Sequence, residues 1–213
     1  MEKCNILKVI LKINSYYSKD GLVLSLYEKR YYTVAQLLHK EHIDSVLDLG
    51  CGDGKFLCYL AQDSFFEQIG GVDVSASRLS RAKRRLGDDS RVRLYSQSFL
   101  DSCSDFSLYM GIVAMEVIEH LEENELATLF QNIFQLTPSV IIVTTPNREY
   151  NWHYQTLNNG LRHSSHRFEF TPVELDRFAE KITNNVQNYI FTTGFCDNEG
   201  ASQFIIWKKV LKV

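Results

Sequence analysis

Glu116, Glu119 and His120 stand at i, i+3 and i+4 in the run Met115-Glu-Val-Ile-Glu-His-Leu121. On a helical turn that spacing directs all three side chains to one face. Two carboxylates and an imidazole converging there make a ligand set for a divalent cation, with room for a fourth ligand. Upstream, Val46-Leu-Asp-Leu-Gly-Cys-Gly-Asp-Gly54 places glycines at 50, 52 and 54. They permit a tight turn in which backbone closely approaches a ligand. Asp73, about 20 residues on, ends the second strand, where a carboxylate accepts hydrogen bonds from ribose hydroxyls. The bland alternative is a structural glycine turn with an ordinary strand-end aspartate.

These groups need a scaffold that brings strand ends together. Helical spacing covers Leu26–His39, and Ser45–Leu49 reads as a buried strand leading through the glycine turn into Lys55–Ala61. A strand ending Gly71-Val-Asp-Val74, a basic helix Ala76–Leu86 and a short strand Val92–Tyr95 follow. The later half gives a strand near Gly111–Met115, a helix Glu122–Phe134, a strand Val140–Thr144 and a helix Pro172–Lys181. Two strands close the chain, near Tyr189–Thr193 and Gln203–Trp207. Alternating strands and helices predict an α/β fold with a doubly wound, mainly parallel sheet of seven strands covered on both faces. Little helical sequence separates the final two strands, so the last one is expected to insert antiparallel. With no linker or repeat, residues 1–213 read as one domain, with 1–40 an N-terminal helical segment and 41–213 the core.

The pairing of D-L-G-C-G-D-G with G-V-D-V resembles the first two motifs of class I (Rossmann-like) methyltransferases. Nicotinamide dehydrogenases compete, but they usually show G-x-G-x-x-G, whereas here one residue separates the second glycine from the third. The resemblance implies S-adenosylmethionine as cofactor. Asp48, Gly50, Gly52 and Gly54 would hold its methionine part, Asp73 its ribose, and Gln97 and Ser98 would lie near the adenine. Small-molecule O-methyltransferases, including those of ubiquinone biosynthesis, also show E-x-x-E-H after strand four. That motif alone leaves metal binding and the small-molecule reading equally open.

Two further segments narrow the choice: Thr144-Thr-Pro-Asn-Arg-Glu-Tyr-Asn151 and Arg162-His-Ser-Ser-His-Arg-Phe-Glu-Phe170. With L-Y-x-x-R-Y at Leu26–Tyr31 and Gly200–Gln203, they make the chain similar to small-RNA 3′-terminal nucleotide 2′-O-methyltransferases. That family occurs in plants, animals and bacterial RNA-repair systems. The likeness runs from about Leu26 to Trp207. It implies that Glu116, Glu119, His120 and His166 bind one divalent metal (Mg2+, Mn2+ or Co2+). A metal touching both the 2′- and 3′-oxygens would activate the 2′-hydroxyl and select a 3′ end with a free vicinal diol. His163 reads equally as proton acceptor, substrate contact or loop histidine. Asn147, Arg148 and Tyr150 are candidate contacts to the terminal nucleotide; Tyr150 and Trp152 read almost as readily as loop packing. The chain departs from the family at Leu24-Ser25, where prolines are common, at Lys29, where glutamine is, and at Phe170, where tryptophan is.

A net charge of −3 gives no global attraction to nucleic acid or an anionic membrane, so RNA must be held locally. Arg78, Arg81, Lys83, Arg84, Arg85, Arg91 and Arg93 form a basic cluster, either an RNA guide or the solvated face of a helix. Five scattered cysteines without a CxxC pair imply reduced thiols in the cytoplasm or nucleus. The apolar start Asn5–Ile13, broken by Lys8 and Lys12, reads as a short amphipathic helix, and no run is long enough to span a bilayer. The length leaves no room for double-stranded-RNA-binding or ligase domains. A monomer acting on a single-stranded 3′ end is expected, supplied by an Argonaute-type carrier or working beside an RNA-repair ligase. A catalytically silent cofactor-binding subunit is the rival from another class.

Overall fold

In the computed structural model residues 24–101 and 106–210 are described. Cys4, Cys103 and the expected N-terminal amphipathic helix lie outside them. Helix α1 (Leu26–Lys40) starts at a capping box, Ser25 with Glu28, which satisfies two otherwise orphaned N-terminal N–H groups. Strand β1 (Ser45–Leu49) leads through the glycine turn into α2 (Lys55–Ala61). Then come β2 (Gln68–Val72), α3 (Ala76–Leu86), β3 (Val92–Tyr95) and β4 (Gly111–Met115). Helix α4 (Glu123–Gln135), β5 (Val140–Pro146) and α5 (Pro172–Thr183) follow, before β6 (Tyr189–Phe195) and β7 (Ser202–Lys209).

The seven strands lie in the order β3-β2-β1-β4-β5-β7-β6. Strand β7 runs antiparallel to both neighbours, and every other pairing is parallel. The expected sheet and its antiparallel last strand are both present. Alternation along the central strands sorts side chains into two cores. Ile112, Ile141, Val143, Ile205 and Trp207 pack with Leu126, Leu129 and Phe130 of α4 and Leu175 of α5. Val46, Val113, Ile142 and Ile206 pack on the other face with Val34 and Leu38 of α1 and Phe56 and Leu57 of α2.

The order reverses between the paired strands β1 and β4, from which the chain continues to opposite sides, to β2 and to β5. The crevice beyond the carboxyl ends of such strands is where open α/β sheets bind ligands. The glycine turn leaves the end of β1, and Glu116 follows the end of β4.

Candidate active site

The turn after β1 is held on β2. The Gly50 and Cys51 N–H groups donate to the Val72 carbonyl at 2.8 and 3.0 Å, and the Gly52 N–H donates to Asp73 Oδ2 at 2.9 Å. Gly50, Gly52 and Gly54 have φ of 75°, 56° and 75°, a left-handed backbone that disfavours side chains. Asp73 is buried and also accepts from the Ser75 N–H at 2.8 Å. Its Oδ2 therefore braces the glycine turn and its Oδ1 the loop after β2, each keeping a lone pair for a ligand. Asp48 is buried behind the turn; burial, and secondarily the charge of Asp73, push its carboxyl well above the usual carboxylate range. Ser98 Oγ accepts from the Leu100 N–H at 3.0 Å, shaping the loop after β3.

One cavity of about 580 Å3 joins this turn to the acidic and histidine-rich segments. Asp48 and Gly50 line it at one end, and Glu116, Glu119, His120, His163 and His166 at the other. Gly52, Gly54, Asp73 and Ser98 stand outside its wall.

Glu119, His120 and His166 each bring a ligand-type atom within 4.8 Å of the others. Glu119 is fully buried; Oε2 accepts from the Thr145 hydroxyl at 3.1 Å, whereas Oε1 has no hydrogen-bond partner. Burial, and then the Glu116 charge, raise its carboxyl well above the usual range. An orphaned buried carboxylate oxygen facing two imidazoles fits a cation better than it fits an unoccupied interior.

The imidazoles are oriented from behind. His166 Nδ1 lies 2.6 Å from Oε1 of the buried Glu169, which also accepts from the Arg162 N–H and from Asn151 Nδ2. A carboxylate only accepts, so His166 donates through Nδ1 and keeps Nε2 for a ligand, the arrangement that orients metal-binding histidines. His120 Nδ1 faces the Ser165 carbonyl at 3.2 Å and its hydroxyl at 3.0 Å. Burial lowers the His120 pKa, which favours the neutral ring that ligation needs. The Ser165 N–H donates to His163 Nδ1 at 3.2 Å, with the Ser165 hydroxyl 2.6 Å from the same nitrogen. His163 Nδ1 is therefore an acceptor, and Nε2 carries the proton.

Glu116 departs from the helical spacing read in the sequence. Its N–H continues the strand ladder to the Thr144 carbonyl at 3.0 Å, and its φ of 53° turns the chain into a short 3-10 helix, Ile118–His120. The side chain is consequently not on one helical face with Glu119 and His120. Its Oε2 pairs with Arg30 at 3.1 Å, and its Oε1 accepts from the Thr144 hydroxyl at 3.1 Å. Arg30 is buried and also donates to Ser202 Oγ at 2.9 Å. Arg30 is the arginine of L-Y-x-x-R-Y, whose spacing alone assigns it no task.

Asn147 and Arg148 are committed elsewhere: Asn147 caps the following turn and donates to the Gly200 carbonyl, and Arg148 pairs with Glu174 at 2.7 Å. Within the basic cluster, Lys83, Arg85 and Arg91 pair with Asp88, Asp53 and Asp89, and Arg78 lines the cavity.

Residues 46–138 match a methyltransferase domain family. The small RNA 2′-O-methyltransferase of Rattus norvegicus is 30% identical over 181 residues, a match covering 79% of this chain and 45% of that protein. The chain spans about half the length of the curated relatives it matches. The methyltransferase domain of bacterial CtHen1-C superposes with a TM-score of 0.76 at 37% identity, covering 88% of this chain and 100% of that one. The small RNA methyltransferase HEN1 superposes with a TM-score of 0.74 at 27% identity, covering 86% of this chain and 26% of that structure.

Proposed function

We propose that this chain, which belongs to the Hen1 family of methyltransferase domains, methylates the 2′-hydroxyl of the 3′-terminal nucleotide of a small single-stranded RNA, using S-adenosylmethionine. The observation that carries the reading is the single cavity onto which both the glycine turn and the Glu119–His120–His166 cluster open. A methyl donor on the turn and a ribose at the cluster would meet inside it.

Glu119, His120 and His166 are the proposed metal ligands, with Glu116 as the fourth. A bound divalent cation supplies Lewis acidity that lowers the pKa of a ribose hydroxyl and orients a vicinal diol. Mixed carboxylate and imidazole donors suit Mn2+ or Co2+ at least as well as Mg2+. Glu169 holds His166, Ser165 holds His120, and Arg30 with Thr144 holds Glu116, so the donors are positioned before substrate arrives. His163, with its proton on Nε2, acts here as a donor to a substrate oxygen rather than as the base. Asp73 and the turn glycines receive the cofactor.

The proposed setting is a monomer in the cytoplasm or nucleus, where buried thiols such as Cys51 and Cys196 stay reduced. An Argonaute-type protein or a repair ligase would present the RNA end.

Labelled S-adenosylmethionine tests this with matched short RNAs ending in a 2′,3′-diol, a 2′-deoxynucleotide or a 3′-phosphate, each with Mn2+ or chelator. Label is expected only in the diol RNA and only with metal. Full-rate labelling in chelator would remove the metal from the mechanism, and labelling of the 2′-deoxy end would remove the 2′-oxygen.

A further inference from the structure

The turn after β5 stacks its rings in a column that core packing does not require. In the 3-10 segment Arg148–His153, the Trp152 and His153 rings lie 3.5 Å apart between centroids at 30°. His153 and Tyr150 lie 4.0 Å apart at 26°. The Arg162 guanidinium covers Tyr150 at 5.5 Å and Tyr154 at 5.1 Å, and Arg162 and Tyr154 line the cavity. The column thus runs from the cavity wall outward and ends on Trp152, which is 77% exposed. A tryptophan used for packing is covered, as Trp207 is at 0%.

We propose that the outer face of Trp152, backed by His153 and Tyr150, is a stacking platform for an RNA base upstream of the 3′-terminal nucleotide. The inference rests on the RNA reading above and names what grips the strand outside the cavity. Near-parallel rings at these spacings match the geometry in which aromatic side chains hold single-stranded bases. Trp152 sits at the column's far end, so its base precedes the nucleotide whose ribose occupies the cavity. The exposed residues that precede it in the turn, Arg148 and Glu149, are charged, unlike the core of a protein-docking patch, which is apolar.

The column is also rigid where it meets the site. Asn151, inside the turn, is buried and donates to Glu169 Oε2 at 2.6 Å, and Glu169 Oε1 accepts from His166. Arg162 donates to Asn151 Oδ1 at 2.7 Å, to the Ala201 carbonyl at 2.8 Å and to the Asn147 carbonyl. The platform and the cluster are therefore fastened to the same buried carboxylate.

The chain has two tryptophans, and Trp207 is buried with Nε1 donating to Thr183 at 2.8 Å, so an RNA-induced change in emission reports Trp152. The full chain with S-adenosylhomocysteine would be titrated with short diol RNA, following tryptophan emission and the anisotropy of a 3′-distal dye. Quenching is expected, with Trp152→Ala weakening binding about tenfold or more and Trp152→Tyr recovering most of it. An RNA made abasic one nucleotide before its end should lose the same affinity, with no additional loss in Trp152→Ala. Unchanged emission, or full affinity in Trp152→Ala, while wild type binds and methylates RNA, overturns the platform alone. Absence of RNA binding and methylation by wild type overturns the functional reading as well.

Discussion

Thr145 donates to one oxygen of Glu119, and the other is buried with no hydrogen-bond partner among the described residues. Glu119→Gln is expected to raise the melting temperature in chelator, because a buried group that can ionise gives way to one that cannot, and Mn2+ is expected to stabilise wild type but not the variant. Scanning fluorimetry with and without metal reads both effects. Glu169→Gln keeps every proposed ligand but replaces the charged acceptor behind His166 with a neutral amide, whose NH2 must face either His166 or the donating Asn151. A 10- to 100-fold weaker Mn2+ affinity is expected by electron paramagnetic resonance titration. Asp48 makes a pH prediction. A carboxyl whose folded pKa is raised binds protons more tightly in the folded chain than in the unfolded one. Its favourable contribution is full below about pH 4, the unfolded value, and is lost as pH rises toward the raised value. Asp48→Asn should flatten the fall of melting temperature across that window and raise it at pH 7. Steeper falling in the variant would contradict the assignment. At this scale Glu119 and His120 are legible from spacing, and His166 from likeness to a family. The Arg30–Glu116 pair is not legible, because it joins residues far apart in sequence through a left-handed turn at Glu116 that helical periodicity does not encode.

The glycine turn is the element on which the cofactor end depends, and its glycines do different work. A Cβ at Gly54 would meet Ala82 Cβ at 2.8 Å, so Gly54 lets α2 and α3 pack closely. A Cβ at Gly52 would meet nothing within 4 Å, leaving only the backbone cost of a positive φ. Gly54→Ala should therefore lose more stability in thermal melts than Gly52→Ala. Gly52→Ala should show its larger defect in S-adenosylhomocysteine affinity by calorimetry, because backbone strain at residue 52 disturbs the N–H that holds Asp73, the proposed ribose acceptor. Equal losses in both assays would remove this division. The elements themselves are largely legible. Apolar runs and helical spacing mark every strand and α-helix described, and α5 ends only two residues beyond its expected limit, at Thr183. The short 3-10 helices at Ile118–His120 and Arg148–His153 escape such reading because a single turn has no periodicity to detect.

For the molecule as a whole, a net charge of −3, with Lys83 and Arg85 of the basic helix already paired to aspartates, makes long-range attraction to RNA weak. Lys83→Ala and Arg84→Ala are expected to leave RNA affinity within about twofold, whereas Arg78→Ala, at the cavity, weakens it and flattens its salt dependence. Anisotropy titrations at two salt concentrations separate these cases. The sheet order carries a consequence in time. Strand β7 lies between β5 and β6, and its first residue, Ser202, anchors Arg30 while Gln203 donates to the Pro146 and Phe170 carbonyls. On the ribosome this strand emerges after all six others, so a nascent chain lacks both the brace on Arg30 and a closed sheet. A ribosome-bound fragment ending at residue 201 can begin to fold but cannot complete the cavity. Completion of the cavity therefore arrives in one step, when β7 pairs with β5 and β6, rather than growing with chain length.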